Sequence, residues 1–174
     1  MVIPAQAYLG VVALVACQRI LELRLSRGHA GKAFARGGIE YGRGHFPAMA
    51  VLHAAFLVSC ALEVVLLRRP FPGALGFVAL AAFLLAQALR YWAIGSLGDR
   101  WNVRVIVVPG DIPVARGPYR FLRHPNYLAV AVEMVALPLV HGAFLTAIVF
   151  STLNAALLRV RIRTEEIALG LRRA

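Results

Sequence analysis

The feature that most constrains this chain is the recurrence of apolar runs about as long as a bilayer is thick. Residues 5–25 (AQAYLGVVALVACQRILELRL), 46–67, 74–97 and 142–160 are such runs. About 20 predominantly apolar residues in a helix cross the hydrocarbon core of a membrane. A shorter run, 125–139, is joined to 142–160 through Pro138 and the VHG of 140–142, which predicts a helical hairpin. Only 16% of the 174 residues are charged, and the mean hydropathy is +0.73, outside the usual range of water-soluble domains. These observations predict an all-α integral membrane protein of about five transmembrane helices, the last two a hairpin. A single domain fills 1–174: helices one to three with a basic loop at 26–45 occupy 1–97, and a loop, the hairpin and a C-terminal helix occupy 98–174.

The formal net charge of +11 first suggests nucleic acid, but its placement argues otherwise. Five of the 19 Lys and Arg residues fall in 24–43, five in 100–123 and five at the end (Arg159, Arg161, Arg163, Arg172, Arg173), with Arg68 and Arg69 alone in another loop. This is the bias of the positive-inside rule, and it predicts one cytoplasmic face for the three basic blocks. With five spans the N-terminus is then outside and the C-terminus inside, in a bacterial plasma membrane. A basic face attracts anionic lipid headgroups, so membrane lipids are expected partners and nucleic acid is not. The sequence does not bear on oligomeric state.

Cys17 and Cys60 lie in apolar runs with no CxxC pairing and read as small core residues. The five His residues lack ligand spacing, so no metal is expected. The segment SRGHAGKAFARGGIEYGRGH, 26–45, is glycine-rich and reads as an interfacial loop rather than a helix. VRVIVVPG, 103–110, is β-branched, too short to cross, and reads as an extended segment over the membrane face. Arg19, Glu22, His53, Glu63, Arg90 and Glu133 fall inside apolar runs. Charges there are costly and need partners. A helix-bundling network is the simpler reading, with Arg90 paired to Glu133 or Glu63, and lining of an acceptor tunnel is the functional one.

The chemistry concentrates at ARGPYRFLRHPNYLAV, 115–130, and RVRIRTEEIAL, 159–169. The first opens helix four and the second closes helix five, so a hairpin sets them side by side. Pro125 suits a first helical turn, where backbone N–H groups make an anion site. His124, preceding a proline, is expected to be extended. Arg and Tyr at helix ends are also ordinary membrane anchors, and Arg161 with Glu165 could form a simple surface ion pair.

The two motifs resemble those of the isoprenylcysteine carboxyl methyltransferase family, integral membrane enzymes that use S-adenosylmethionine and include related phospholipid methyltransferases. GPYRFLRHPNY followed by a hairpin and RIRTEEIAL carries the resemblance over about 98–169. RGGIEYGRGHFP is similar to the small bacterial members, some of which methylate alkylpyrones. The resemblance implies a cytoplasmic-face cofactor pocket lined by Tyr119, His124, Pro125 and Tyr127, with Glu166 as a cofactor contact joined by Glu165. It implies a catalytic role for Arg161. Many members carry His eight residues before the Tyr of GxY, where this chain has Asp111.

The expected activity is methyl transfer from S-adenosylmethionine to an acidic oxygen, a carboxylate or a hydroxypyrone, of a lipophilic small-molecule acceptor. Such an oxygen is already ionised at neutral pH. It needs a fixed cation to orient it rather than a strong base, and a guanidinium serves. The alternative is N-methylation of a phospholipid amine, which must first lose a proton to Glu165 or Glu166. A small transporter using Glu63 or Glu133 is the reading from a different class. It leaves RHPNY and RxxxEE without a use.

Overall fold

Proline and the pattern of apolar residues set most helix limits. Pro125, with its fixed φ and no N–H to lose, opens one helix, and the break around 140–143 turns it back into the next. The computed structural model, which describes residues 3–171, has helices α1 (Ala5–Ala35), α2 (His45–Leu66), α3 (Ala74–Leu97), α4 (Pro125–Leu139) and α5 (Phe144–Ala168). Strands β1 (Ile39–Tyr41) and β2 (Val105–Val107) pair antiparallel, Glu40 opposite Ile106. α4 and α5 form the expected hairpin, α4 packs along α3, and α2 packs against α5 and α1.

The apolar side chains lie on both sides of the helices. Tyr8, Phe56, Met134, Leu137 and Val140 are fully buried and join α1, α2 and α4 into one core. Leu14, Val51, Val78 and Ile148 are about 70% exposed. Apolar residues on the outer faces of four helices suit a protein solvated by lipid. α2, residues 74–100 and α5 are each long and apolar enough to cross a membrane. α4, at 15 residues, is about 22 Å long, shorter than the hydrocarbon core of about 30 Å. α1 has the length but carries Gln18, Arg19, Glu22, Arg24 and Arg27. Three of the five expected spans therefore meet both criteria.

The polar groups within the apolar runs largely neutralise one another. Arg19 donates to Glu22 at 2.6 Å and to both oxygens of Glu133 at 2.6–2.7 Å. Arg90 forks onto Glu22 at 2.9 and 2.8 Å. Gln18 and Gln87 add bonds to Glu22 and Glu133. Two guanidiniums facing two carboxylates tie α1, α3 and α4 together with no net charge. The expected Arg90–Glu133 pair is present at 3.6 Å, but the hydrogen bonds of Arg90 go to Glu22. Glu63 belongs elsewhere: it accepts from the backbone N–H groups of Leu145 and Thr146 and from Arg69, and so caps α5. His53 bonds the Met49 carbonyl of its own helix at 2.8 Å.

The loop expected at 26–45 is corrected by the structure. Its first ten residues continue α1 as helix. Gly28 and Gly31 each weaken a helix by about 1 kcal/mol, and long-range contacts offset this. Ser26 Oγ donates to Asn102 Oδ1 at 2.8 Å and accepts from the Val103 N–H, while Asn102 Nδ2 donates to the Ser26 carbonyl. Lys32 meets Asp99 at 2.9 Å. The helix ends at Gly37, whose φ of 79° is the left-handed conformation a helix terminus requires. The Gly37 N–H bonds the Phe34 carbonyl and the Gly38 N–H that of Ala33, a Schellman closure. VRVIVVPG supplies the extended segment as expected, and the remainder of 26–45 supplies its partner strand.

Candidate functional site

The end of α1, the β1–β2 ribbon, the loop 98–124 and the end of α5 gather at one end of the bundle. They enclose a cavity of about 750 Å³, in the upper part of the range for small-molecule sites. Tyr119, His124, Tyr127, Arg161 and Glu165 line it. Pro125, expected among them, is buried in the first turn of α4 outside the lining and sets where the helix starts. Glu166 is reached through His124, whose Nε2 lies 3.3 Å from Glu166 Oε1.

The loop is held against α3 by Gly117. Its φ of 58° favours glycine, and a Cβ there would sit 1.9 Å from Ser96 Oγ. Arg116 donates to the Ser96 carbonyl at 2.9 Å. The 3-10 turn Gly117–Arg120 that follows brings Tyr119 to the cavity. Burial pushes the Tyr119 phenol above its ordinary pKa, and the Glu165 carboxylate adds to this, so the hydroxyl stays protonated at neutral pH.

One hydrogen-bonded chain joins the two motifs. Arg161 is 4% exposed. Its Nε donates to the Tyr127 hydroxyl at 2.9 Å, its Nη2 to the Val103 carbonyl, and its Nη1 faces Met49 Sδ at 3.1 Å. The Tyr127 hydroxyl in turn donates to Glu165. Arg161 is therefore not half of a surface ion pair, since the Tyr127 hydroxyl stands between it and Glu165. Arg163, two residues on, is exposed. His124 stacks on Tyr127 with ring centres 5.4 Å apart and planes at 21°. The anion site expected at the start of α4 is mostly spent, because the N–H groups of Tyr127 and Leu128 both turn onto the His124 carbonyl.

Sequence reasoning missed the second wall. His29 and Lys32 of α1, and Arg36 just past its end, line the cavity together with Asp99, Trp101 and Asp111. His29 Nδ1 bonds the Trp101 carbonyl at 2.8 Å, and Lys32 Nζ donates to Asp99 Oδ2 at 2.9 Å. Asp111 pairs with Arg36 at 2.6 Å and Arg100 at 3.7 Å. The one local signal was the charge spacing of α1, where 29, 32 and 36 share a helix face.

An apolar bundle with three helices long and apolar enough to cross a bilayer, and a polar, aromatic-lined cavity at one end, is the architecture of an integral membrane protein. A sequence profile of the isoprenylcysteine carboxyl methyltransferase (ICMT) family matches residues 78–170. Two curated proteins are similar over nearly the whole chain. One is an uncharacterized protein, YpbQ, of Bacillus subtilis (strain 168), 40% identical over 160 residues, which are 91% of this chain and 94% of that protein. The other is an uncharacterized protein of Haemophilus influenzae (strain ATCC 51907 / DSM 11121 / KW20 / Rd), 28% identical over 153 residues, 87% of this chain and 88% of that protein. The chain belongs to the isoprenylcysteine carboxyl methyltransferase family, whose members are S-adenosylmethionine-dependent membrane methyltransferases.

Proposed function

We propose that this protein transfers a methyl group from S-adenosylmethionine to an acidic oxygen, carboxylate or hydroxypyrone, of a lipophilic acceptor such as an alkylpyrone or a prenyl or alkyl acid. The observation that carries the reading is the Arg161–Tyr127–Glu165 chain beside the His124–Glu166 pair, both at one cavity. The residues fit the cofactor. The Glu165 and Glu166 carboxylates suit its ammonium and sulfonium charges, the His124–Tyr127 stack suits a flat base, and the volume accommodates a nucleoside derivative. When bound, it supplies an electrophilic methyl on a positive sulfur.

The chain's own residues account for the rest. Tyr119, His124, Tyr127, Glu165 and Glu166 would hold the cofactor. Arg161, permanently charged and pinned through two of its nitrogens, would orient the acceptor oxygen for in-line attack. A lipophilic acceptor and the cofactor filling the cavity would displace water from it. Six Lys or Arg side chains line it against three carboxylates. That surplus favours an anionic acceptor over a phospholipid amine, which would also need Glu165 or Glu166 free as a base. The basic blocks support a cytoplasmic position for the cavity, with α1 and α4 also crossing a bacterial plasma membrane and the N-terminus outside.

Mass spectrometry of lipid extracts from cells with and without expression tests the reading and names the acceptor. It predicts a lipophilic acid converted to a product heavier by one methylene. Conversion of a phospholipid amine instead would overturn it.

A further inference from the structure

One of the two firm anchors of Arg161 is a backbone group, the Val103 carbonyl, which accepts from Nη2. The other is the Tyr127 hydroxyl. The Met49 sulfur that faces Nη1 is only a weak acceptor. Whatever fixes the Val103 carbonyl therefore fixes the guanidinium.

Ser26 of α1, 2% exposed, and Asn102 do this through a closed set of bonds. Ser26 Oγ donates to Asn102 Oδ1 at 2.8 Å, and Asn102 Nδ2 donates back to the Ser26 carbonyl at 3.0 Å. The same two side chains take the next two backbone donors. The Val103 N–H donates to Ser26 Oγ at 3.1 Å, and the Arg104 N–H donates to Asn102 Oδ1 at 2.9 Å. One turn along α1, His29 Nδ1 donates to the Trp101 carbonyl at 2.8 Å. The Val103 carbonyl and the Arg104 N–H belong to one planar peptide group and point in opposite directions. Asn102 Oδ1, holding the N–H edge of that plane, therefore aims its carbonyl edge at Arg161.

We propose that Ser26 and Asn102 are positioning residues for methyl transfer: they orient the 103–104 peptide and, through its carbonyl, the Arg161 guanidinium. This rests on the methyltransferase reading above and deepens it. A misplacement of about 1 Å in a group that orients a reactant can cost about 100-fold in rate. Ser26 lies outside the family-matched segment 78–170, so α1, and not only the matched motifs, sets turnover.

Ser26→Ala and Asn102→Ala test this against a contact that merely holds α1 to the loop. Both are measured at a temperature where their circular dichroism matches wild type. Calorimetry gives their affinity for S-adenosylhomocysteine. Membranes of expressing cells, given S-adenosylmethionine tritiated on its methyl group, give the rate of label transfer to the lipid extract. Spectra of ¹⁵N-arginine-labelled protein in detergent micelles give the Nη signals of Arg161, assigned by their loss in Arg161→Lys. Rotation about Nε–Cζ exchanges Nη1 with Nη2 in a free guanidinium, so a held one shows them separately. The proposal predicts affinity within about twofold of wild type, transfer lowered roughly 10- to 100-fold, and separate Arg161 signals that merge in both variants. A lower melting temperature with either the transfer rate or the Arg161 signals unchanged marks a structural contact and overturns the positioning role alone. Loss of cofactor affinity by about tenfold or more, or failure of both variants to fold, overturns it as well. Wild-type protein that neither binds S-adenosylhomocysteine nor transfers label removes the methyltransferase reading together with this one.

Discussion

Arg161 of α5 donates to the Tyr127 hydroxyl of α4 at 2.9 Å, and its charge lies 5.5 Å from the centre of the Tyr127 ring. The contact ties the RxxxEE motif to the RHPNY motif, and the same hydroxyl reaches Glu165. A guanidinium so placed cannot swing freely, which is what a group that orients a reacting oxygen requires.

Removing that hydroxyl should disconnect Arg161 from Glu165 while keeping the ring stack with His124. Hydrogen bonds to charged groups contribute about 1.5–3 kcal/mol. Tyr127→Phe should therefore lower the unfolding temperature by several degrees in a protein that still folds, and lower methyl transfer roughly 10- to 100-fold. Product formation in lipid extracts and a thermal melt measure the two. Unreduced product formation would remove the relay from the mechanism.

The Arg19–Glu22–Arg90–Glu133 network gives a prediction about stability. Breaking one partner of a buried pair costs about 3–5 kcal/mol, because the other charge is left uncompensated. Arg90→Met should destabilise the protein strongly in a detergent thermal melt. Arg90→Met with Glu22→Gln should recover much of the loss. If the double variant melts no higher than the single one, the network does not act as a charge-balanced unit.

Gly117 gives a prediction confined to the loop. A methyl group there would meet Ser96 Oγ at 1.9 Å on a backbone with φ of 58°. Gly117→Ala should displace the 3-10 turn that carries Tyr119. The expected outcome is helical circular dichroism close to wild type with affinity for S-adenosylhomocysteine weakened about tenfold or more. Wild-type affinity would mean that the turn plays no part in holding the cofactor.

How far these features could be read from sequence depended on the range of the forces behind them. The limits of α3 and α4 matched expectation because Pro125, the apolar period and the break at 140–142 act locally. The extension of α1 to Ala35 did not, because Gly28 and Gly31 argue against helix and only the distant Asn102 and Asp99 argue for it. The Schellman glycines Gly37 and Gly38 were visible in ARGG but were read as part of a loop. His124, Tyr127 and Arg161 came from the family resemblance of the two motifs, and their convergence follows from the hairpin. His29 and Lys32 lie far from those motifs in sequence and reach the cavity only through the packing of α1 against the loop. Arg90 was expected to pair with Glu133 or Glu63; it does meet Glu133 at 3.6 Å, but its hydrogen bonds go to Glu22, a choice set by helix placement.

The central claim is that the start of α4 and the end of α5 build one cofactor site. Calorimetric titration of S-adenosylhomocysteine into the wild-type protein and into His124→Ala tests it most directly. The account predicts saturable binding by the wild type and a loss of at least about tenfold, or about 1.4 kcal/mol, in the variant. Equal affinity in the two proteins would contradict it.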